Sequence, residues 1–104
     1  HATGDWIAFL DADDVFAPTT LAAVAKTIAS NPRANVVSFD LLEFGASQRE
    51  WRYHNLDPAH LRFENTIPVS SFVRREFLRQ NHLHYDTAIP DGVADWNFWL
   101  TLLE

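Results

Sequence analysis

Gly4-Asp5-Trp6-Ile7-Ala8-Phe9-Leu10-Asp11-Ala12-Asp13-Asp14 joins an unbroken run of five apolar residues to three carboxylates within four positions. A short apolar run bounded by turn signals predicts a buried strand over Trp6–Leu10. Acids just past the C-terminal end of such a strand stand where open α/β sheets keep their ligands. In an extended chain, side chains two residues apart point the same way. Asp11 and Asp13 therefore face one site, and Asp14 points elsewhere. Two carboxylates so close make each other's charged form harder to hold. A hard divalent cation such as Mg²⁺ or Mn²⁺ relieves that repulsion.

Downstream, Pro18 suits the first turn of a helix, where its missing N–H costs nothing. Leu21, Val24, Ala25 and Ile28 recur at helical spacing as one apolar stripe. Asn31-Pro32 stops that helix, because proline disfavours the α conformation in the residue before it. Asn35 to Phe44 predicts a second strand, with Val37, Phe39 and Leu41 alternating with polar residues. The phase slips at Leu41-Leu42, as a bulge or a strand end there requires. The order strand, helix, strand predicts a parallel pair with a right-handed crossover.

The segment 45–65 is the least regular part and is expected to lie outside the core. Trp51 and Tyr53 alternate as in a short strand, with Arg49, Arg52 and His54 around them, and Asp57-Pro58 opens a helical turn through Leu61. Ser70 or Ser71 is expected to cap a helix that runs to Gln80, with Val73 and Phe77 on its inner face. His82 to Tyr85 reads as short and extended, and Thr87 to Gly92 as a loop. Asp95 opens a last helix whose Trp96, Trp99, Leu100 and Leu103 fall on one face.

The totals narrow the function. A chain of 104 residues builds one modest core. The formal net charge of −6 argues against a nucleic-acid surface, since no basic stripe is available to neutralise phosphates. There is no cysteine, which excludes disulfides and thiolate metal sites and fits a reducing compartment. No apolar run reaches the length of a membrane span. The expected setting is cytoplasmic, with the inner face of the membrane as the nearest alternative. The chain starts almost on a buried strand and stops inside a predicted helix, so a fragment of a longer protein is expected.

Two carboxylate sites thus stand out, Asp11/Asp13/Asp14 and Asp95. At this point Phe9-Leu10-Asp11-Ala12-Asp13-Asp14 resembles the Asp-x-Asp segment of the inverting, nucleotide-sugar-dependent glycosyltransferases of family 2, which have the GT-A fold. Ala2-Thr3-Gly4-Asp5-Trp6-Ile7 is similar to what those enzymes carry upstream. Phe72-Val73-Arg74-Arg75-Glu76-Phe77-Leu78, His82-Leu83-His84-Tyr85-Asp86 and Ala94-Asp95-Trp96-Asn97-Phe98-Trp99-Leu100 follow the family's order downstream. Asp-x-Asp alone is a weak signal; the ordered set is stronger.

The resemblance implies an α/β fold: a partial GT-A mixed sheet with flanking helices. Residues 1–104 would be one partial domain, the metal- and acceptor-binding half, without the N-terminal half that holds the nucleotide base. Asp13 would ligate a divalent metal, Mn or Mg, that bridges the diphosphate of a nucleotide-diphospho-sugar donor. Asp11 would help place the ribose or complete the metal's shell. Asp95, matching the second acid of the family's Glu-Asp pair, would be the base that takes a proton from an acceptor hydroxyl, with inversion at the anomeric carbon. The acceptor would be a glycan or a lipid-linked sugar, in polysaccharide biosynthesis. The family's preceding Glu is Ala94 here, which leaves the acceptor side less well matched. Lacking the nucleotide half, this polypeptide alone is expected to show no sugar-nucleotide turnover.

Plainer readings stand beside these. Asp14 reads as structural, capping or pairing with an arginine. Asp95 also suits a helix N-terminus through the dipole. His82-x-His84 lacks a third metal ligand. Trp51 and Tyr53 more simply cover an apolar edge than stack on a sugar. Arg74, Arg75 and Arg79 read as surface charge, and Trp96, Phe98 and Trp99 as packing. A second enzyme class also fits the acids: Asp11-Ala12-Asp13-Asp14-Val15 resembles the first motif of haloacid dehalogenase-like phosphatases, with Asp11 as nucleophile and Asp91-Gly92-Val93-Ala94-Asp95 as the last acidic motif. A non-catalytic scaffold fragment is the third possibility. It would self-associate through the exposed flank of the first strand.

Overall fold

The computed structural model describes residues 2–53, 57–90 and 92–103. Nine elements follow one another among them: β1 (Trp6–Ala8), α1 (Thr20–Ser30), β2 (Val36–Val37), β3 (Leu41–Leu42), β4 (Glu50–Trp51), α2 (Pro58–Leu61), β5 (Phe72–Arg74), α3 (Arg75–Gln80) and α4 (Ala94–Thr101). The chain is a mixed α/β domain, as expected.

The predicted parallel pair is corrected. β1 and β2 run in the same direction, but β5 lies between them and pairs antiparallel with both. The register sets Ile7 beside Val73 and Val73 beside Val36. Strand side chains alternate between faces, so this row supplies one face of the sheet, and Trp6, Ala8, Val37 and Phe72 supply the other. Each face has its own core. The Ile7–Val73–Val36 face packs with Leu61, Ile67, Leu78, Phe98 and Trp99. The opposite face packs with Val24 and Ile28 of α1 and with Phe16 and Phe39. The helices therefore flank the sheet on both sides.

A second correction explains the first. The segment expected as one capped helix from Ser70 to Gln80 begins as β5 and turns helical only at Arg75. Val73 is fully buried because it is the middle of the central strand, not because it faces inward from a helix. Leu78, rather than Phe77, is the buried residue of α3. β-Branched and aromatic Phe72-Val73 favours a strand, and the antiparallel partners on both sides decide the matter.

The segment 45–65 is not wholly outside the core. Asp57 caps α2 by accepting from the Ala59 N–H at 2.9 Å, as expected from Asp57-Pro58. That turn then plants Leu61 in the core at 2 % exposure. The Trp96 indole N–H donates to the Leu61 carbonyl at 2.6 Å and locks the turn to α4. The slip at Leu41-Leu42 marks a real break: β2 ends at Val37, and β3 pairs with β4 in a separate hairpin. Leu21 and Leu103 are exposed, so the stripes predicted for α1 and α4 are narrower than the spacing suggests. His54 lies outside the described residues.

Arg74 is half-buried rather than surface charge. Its guanidinium donates to the carbonyls of Ala34 and Pro32 at 2.8 Å and lies 4.8 Å from the centre of the Trp6 ring. It fastens the turn after α1 to β1. Arg79 forms an exposed pair with Glu76 at 3.1 Å, an arrangement worth little in water.

Candidate active site

β1 delivers the chain to the acidic loop. Beyond Ala8 the chain leaves the sheet, and the Asp14 N–H donates to the Asp11 carbonyl at 3.1 Å, closing a turn. Asp11, Asp13 and Asp14 are all exposed. The loop concentrates negative charge: partial burial, then Asp13, then Asp11 raise the Asp14 carboxyl above its ordinary value. The Asp14 backbone closes the turn, but its carboxylate neither caps a helix nor pairs with an arginine among the described residues.

Asp95 sits in the first turn of α4 and is half-buried. Its Oδ2 accepts from the Asn65 side-chain amide at 2.9 Å. Asn65 is itself steadied where its Oδ1 accepts from the Ile67 N–H at 3.4 Å. The carboxylate is therefore oriented by a neutral donor from a distant part of the chain.

Tyr85 stands between the two acidic sites. Its ring stacks on Phe98 with centroids 4.5 Å apart and meets the edge of Phe9 at 4.9 Å. Phe9 is two residues before Asp11, and Phe98 is one helical turn after Asp95. The same aromatic stack therefore fixes the bases of both sites. The Tyr85 hydroxyl is buried, with no hydrogen-bond partner among the described residues. Burial, then Asp95, then Asp11 push it from its ordinary 10.0 to about 12. Asp11 and Asp95 thus act on one phenol. Tyr53 is also raised, by burial and then by Glu64, Asp40 and Asp95.

A pH dependence follows from Tyr85. Its folded value is raised, so the unfolded chain gives up the phenol proton first as pH climbs. The associated stability is complete below pH 10 and is lost as pH rises toward about 12. Tyr85→Phe is expected to flatten that alkaline loss in urea midpoints measured across this window; an unchanged slope would remove Tyr85 from the account.

Asp13 and Asp14 line a cleft of about 800 Å³ that lies against the β3–β4 hairpin, and neither Asp11 nor Asp95 lines it. The expectation that Asp11 and Asp13 face one site while Asp14 points elsewhere is corrected, because residues 11–14 form a turn rather than extended chain. Among the described residues, no three or more His, Cys, Asp or Glu come together closely enough to hold a metal ion. Two neighbouring carboxylates are nonetheless the usual protein share where a cation is also held by substrate phosphates. The acidic loop fits a metal shared with a diphosphate and does not fit a cage made by protein alone.

The remaining candidates are structural. His82 has a left-handed φ of 53°, and the His84 Nδ1 lies 3.1 Å from the His82 carbonyl oxygen, so the two are not a strand pair facing one side. Asp86 accepts from the Ala88 N–H at 2.9 Å and shapes the loop that leads to α4. Asp91, needed by the phosphatase reading, lies outside the described residues. Sequence reasoning missed Asn65, which sits in a segment with no periodicity. Tyr85 could have been noticed as an aromatic placed between two acidic sites in the ordered motifs.

No described helix is long and apolar enough to cross a membrane. A family model described as "Glycosyl transferase family 2" matches residues 1–92. No curated protein and no solved structure matches the chain.

Proposed function

The chain belongs to glycosyl transferase family 2, and from that membership we propose an inverting transfer of a sugar from a nucleotide-diphosphate donor to an acceptor hydroxyl. The observation that carries this reading is the aromatic stack Phe9–Tyr85–Phe98, which ties the chain leading into Asp11 to the helix that carries Asp95 and supports one reaction space between the two acidic sites.

Asp95 takes the proton from the acceptor hydroxyl as that oxygen attacks the anomeric carbon from the side opposite the leaving group. The new glycosidic C–O bond forms while the bond to the nucleoside diphosphate breaks, and the configuration inverts. A carboxylate suits this task because a neutral hydroxyl must lose its proton as it bonds. Asn65 holds the carboxylate in one orientation, which reduces the rearrangement needed at the moment of attack. Asp13 and Asp11 would hold a divalent cation, whose chemistry is to neutralise charge on the leaving diphosphate. The family match favours this reading over the phosphatase one.

The test is nucleoside diphosphate release from a sugar nucleotide, in catalytically competent enzyme containing residues 1–104. Asp13→Asn is expected to lower the rate by at least the roughly 10–100-fold that losing even an outer-shell metal partner costs, and chelation should act in the same direction. Full turnover in both conditions would sink the metal-assisted reading.

A further inference from the structure

One short segment grips the start of α4 at two consecutive residues. The Trp96 indole N–H donates to the Leu61 carbonyl at 2.6 Å. Asp95 Oδ2 accepts from the Asn65 side-chain amide at 2.9 Å. Both bonds are part-buried, and Leu61 and Asn65 are the two ends of one strap. Consecutive helical residues point about 100° apart, so the bonds reach α4 from different directions. One bond alone would let the helix roll about it, whereas two fix its rotation.

The strap is held to a fixed shape. Asp57 caps α2, and Leu61 is sunk in the core. The Phe63 and Glu64 N–H groups both donate to the His60 carbonyl, at 2.9 and 3.1 Å. At the far end, Asn65 Oδ1 accepts from the Ile67 N–H at 3.4 Å. These partners allow one orientation of the Asn65 amide. A carboxylate only accepts and a backbone N–H only donates. The Asn65 NH₂ must therefore face Asp95, and its oxygen must face Ile67.

Packing alone would ask no more of Trp96 than an aromatic ring. The indole N–H is the part that packing does not need, and it is the part that holds the strap. With Oδ2 engaged by Asn65, Oδ1 is the oxygen of Asp95 left to take a proton. Its direction follows from where the strap holds the amide. Misplacing a reacting group by about 1 Å, through a change remote from the chemistry, costs about 10²-fold in rate.

We propose that Trp96 is a positioning residue for the transfer. Through the Leu61 carbonyl it holds the strap that aims Asn65 at Asp95 Oδ2 and leaves Oδ1 to the acceptor hydroxyl. This role rests on the reading of Asp95 as base; the clasp itself does not.

The test compares Trp96→Phe, Asn65→Ala and the double variant in catalytically competent enzyme containing residues 1–104, with Asp95→Asn as the reference. Trp96→Phe keeps a ring and removes the N–H. It should lower kcat at least about tenfold, a part of the 10²-fold range for misplacement, with KM little changed. Asn65→Ala should lower kcat at least as much. The double variant should be little slower than Asn65→Ala, because both changes break one path; independent sites would multiply their losses. In ¹⁵N-labelled enzyme, the Asn65 side-chain NH₂ signals, identified by their loss in Asn65→Ala, should shift in Trp96→Phe. Trp96→3-benzothienylalanine, which puts sulfur in place of the N–H in the same bicyclic shape, should behave as Trp96→Phe does and carries the test if the Phe variant does not fold. A packing role alone would lower the thermal midpoint and leave kcat of the folded enzyme intact. Full kcat without the N–H, losses that multiply, or an unmoved Asn65 amide would each overturn the proposal. Full kcat in Asp95→Asn would remove the base reading and the positioning role with it, while the amide shift would still report the clasp.

Discussion

Asp95→Asn should lower kcat by about 10²–10⁴-fold, the usual worth of a positioned general base, with little change in KM. The change is nearly isosteric. The amide oxygen it introduces can still accept from the Asn65 side chain that now donates to Asp95 at 2.9 Å, so the local structure survives. What is lost is the ability to take a proton. Because that ability matters only as the acceptor oxygen bonds to carbon, kcat and kcat/KM should fall together. The rival reading makes Asp95 a favourable charge in the first turn of α4. That role is worth up to about 2 kcal/mol at a partly buried position such as this one and should appear as a shift in thermal midpoint with kcat intact. Measuring both quantities on catalytically competent enzyme containing residues 1–104 separates the roles. A full-rate variant with a lowered midpoint would end the assignment of Asp95 as base.

The acids of this site were legible because their chemistry is local. An apolar run ending at Asp11 and an acid opening a helix at Asp95 are both visible within a dozen residues. Their shared neighbour was not. Tyr85 touches the supports of both, Phe9 and Phe98, only because the chain around β1 and α4 packs in one core, and no pattern within either segment records that. Asn65 is less visible still, since it lies 30 residues from Asp95 in a stretch without periodicity.

The fold divides along the same line. The end of α1 at Asn31-Pro32, the cap at Asp57 and the break at Leu41-Leu42 are written in backbone chemistry. β5 is not. Phe72-Val73-Arg74 is only three residues long and runs straight into α3. Behind Ser70-Ser71 and ahead of Glu76, it offers capping signals as strong as its strand propensity. Its strand character comes from partners about 37 and 66 residues earlier in the chain, Val36 and Ile7. Misreading β5 as helix also removed the strand that separates β1 from β2, so one local error produced the incorrect parallel pair.

Trp99→Ala should be the most damaging single change to stability, and its comparison with Trp99→Phe shows why. Trp99 is fully buried and packs edge-to-face on Phe98 at 5.0 Å. Truncating a buried Trp to Ala costs about 3–5 kcal/mol through lost burial and the cavity left behind. A chain of this size has only about 5–15 kcal/mol in total, so the variant should be largely or wholly unfolded near 37 °C. One effect works the other way. The Trp99 indole N–H is buried without a partner among the described residues, and such a group costs about 1–3 kcal/mol. Trp99→Phe removes that donor and keeps an aromatic ring, so it should lose far less than Trp99→Ala. Urea titration followed by circular dichroism measures both. If Phe proves as damaging as Ala, the indole N–H has a partner, and the close fit of the larger ring is what holds α4 to β5. The consequence reaches the active site, because Phe98 and Tyr85 stack beside Trp99 and fix the helix that carries Asp95.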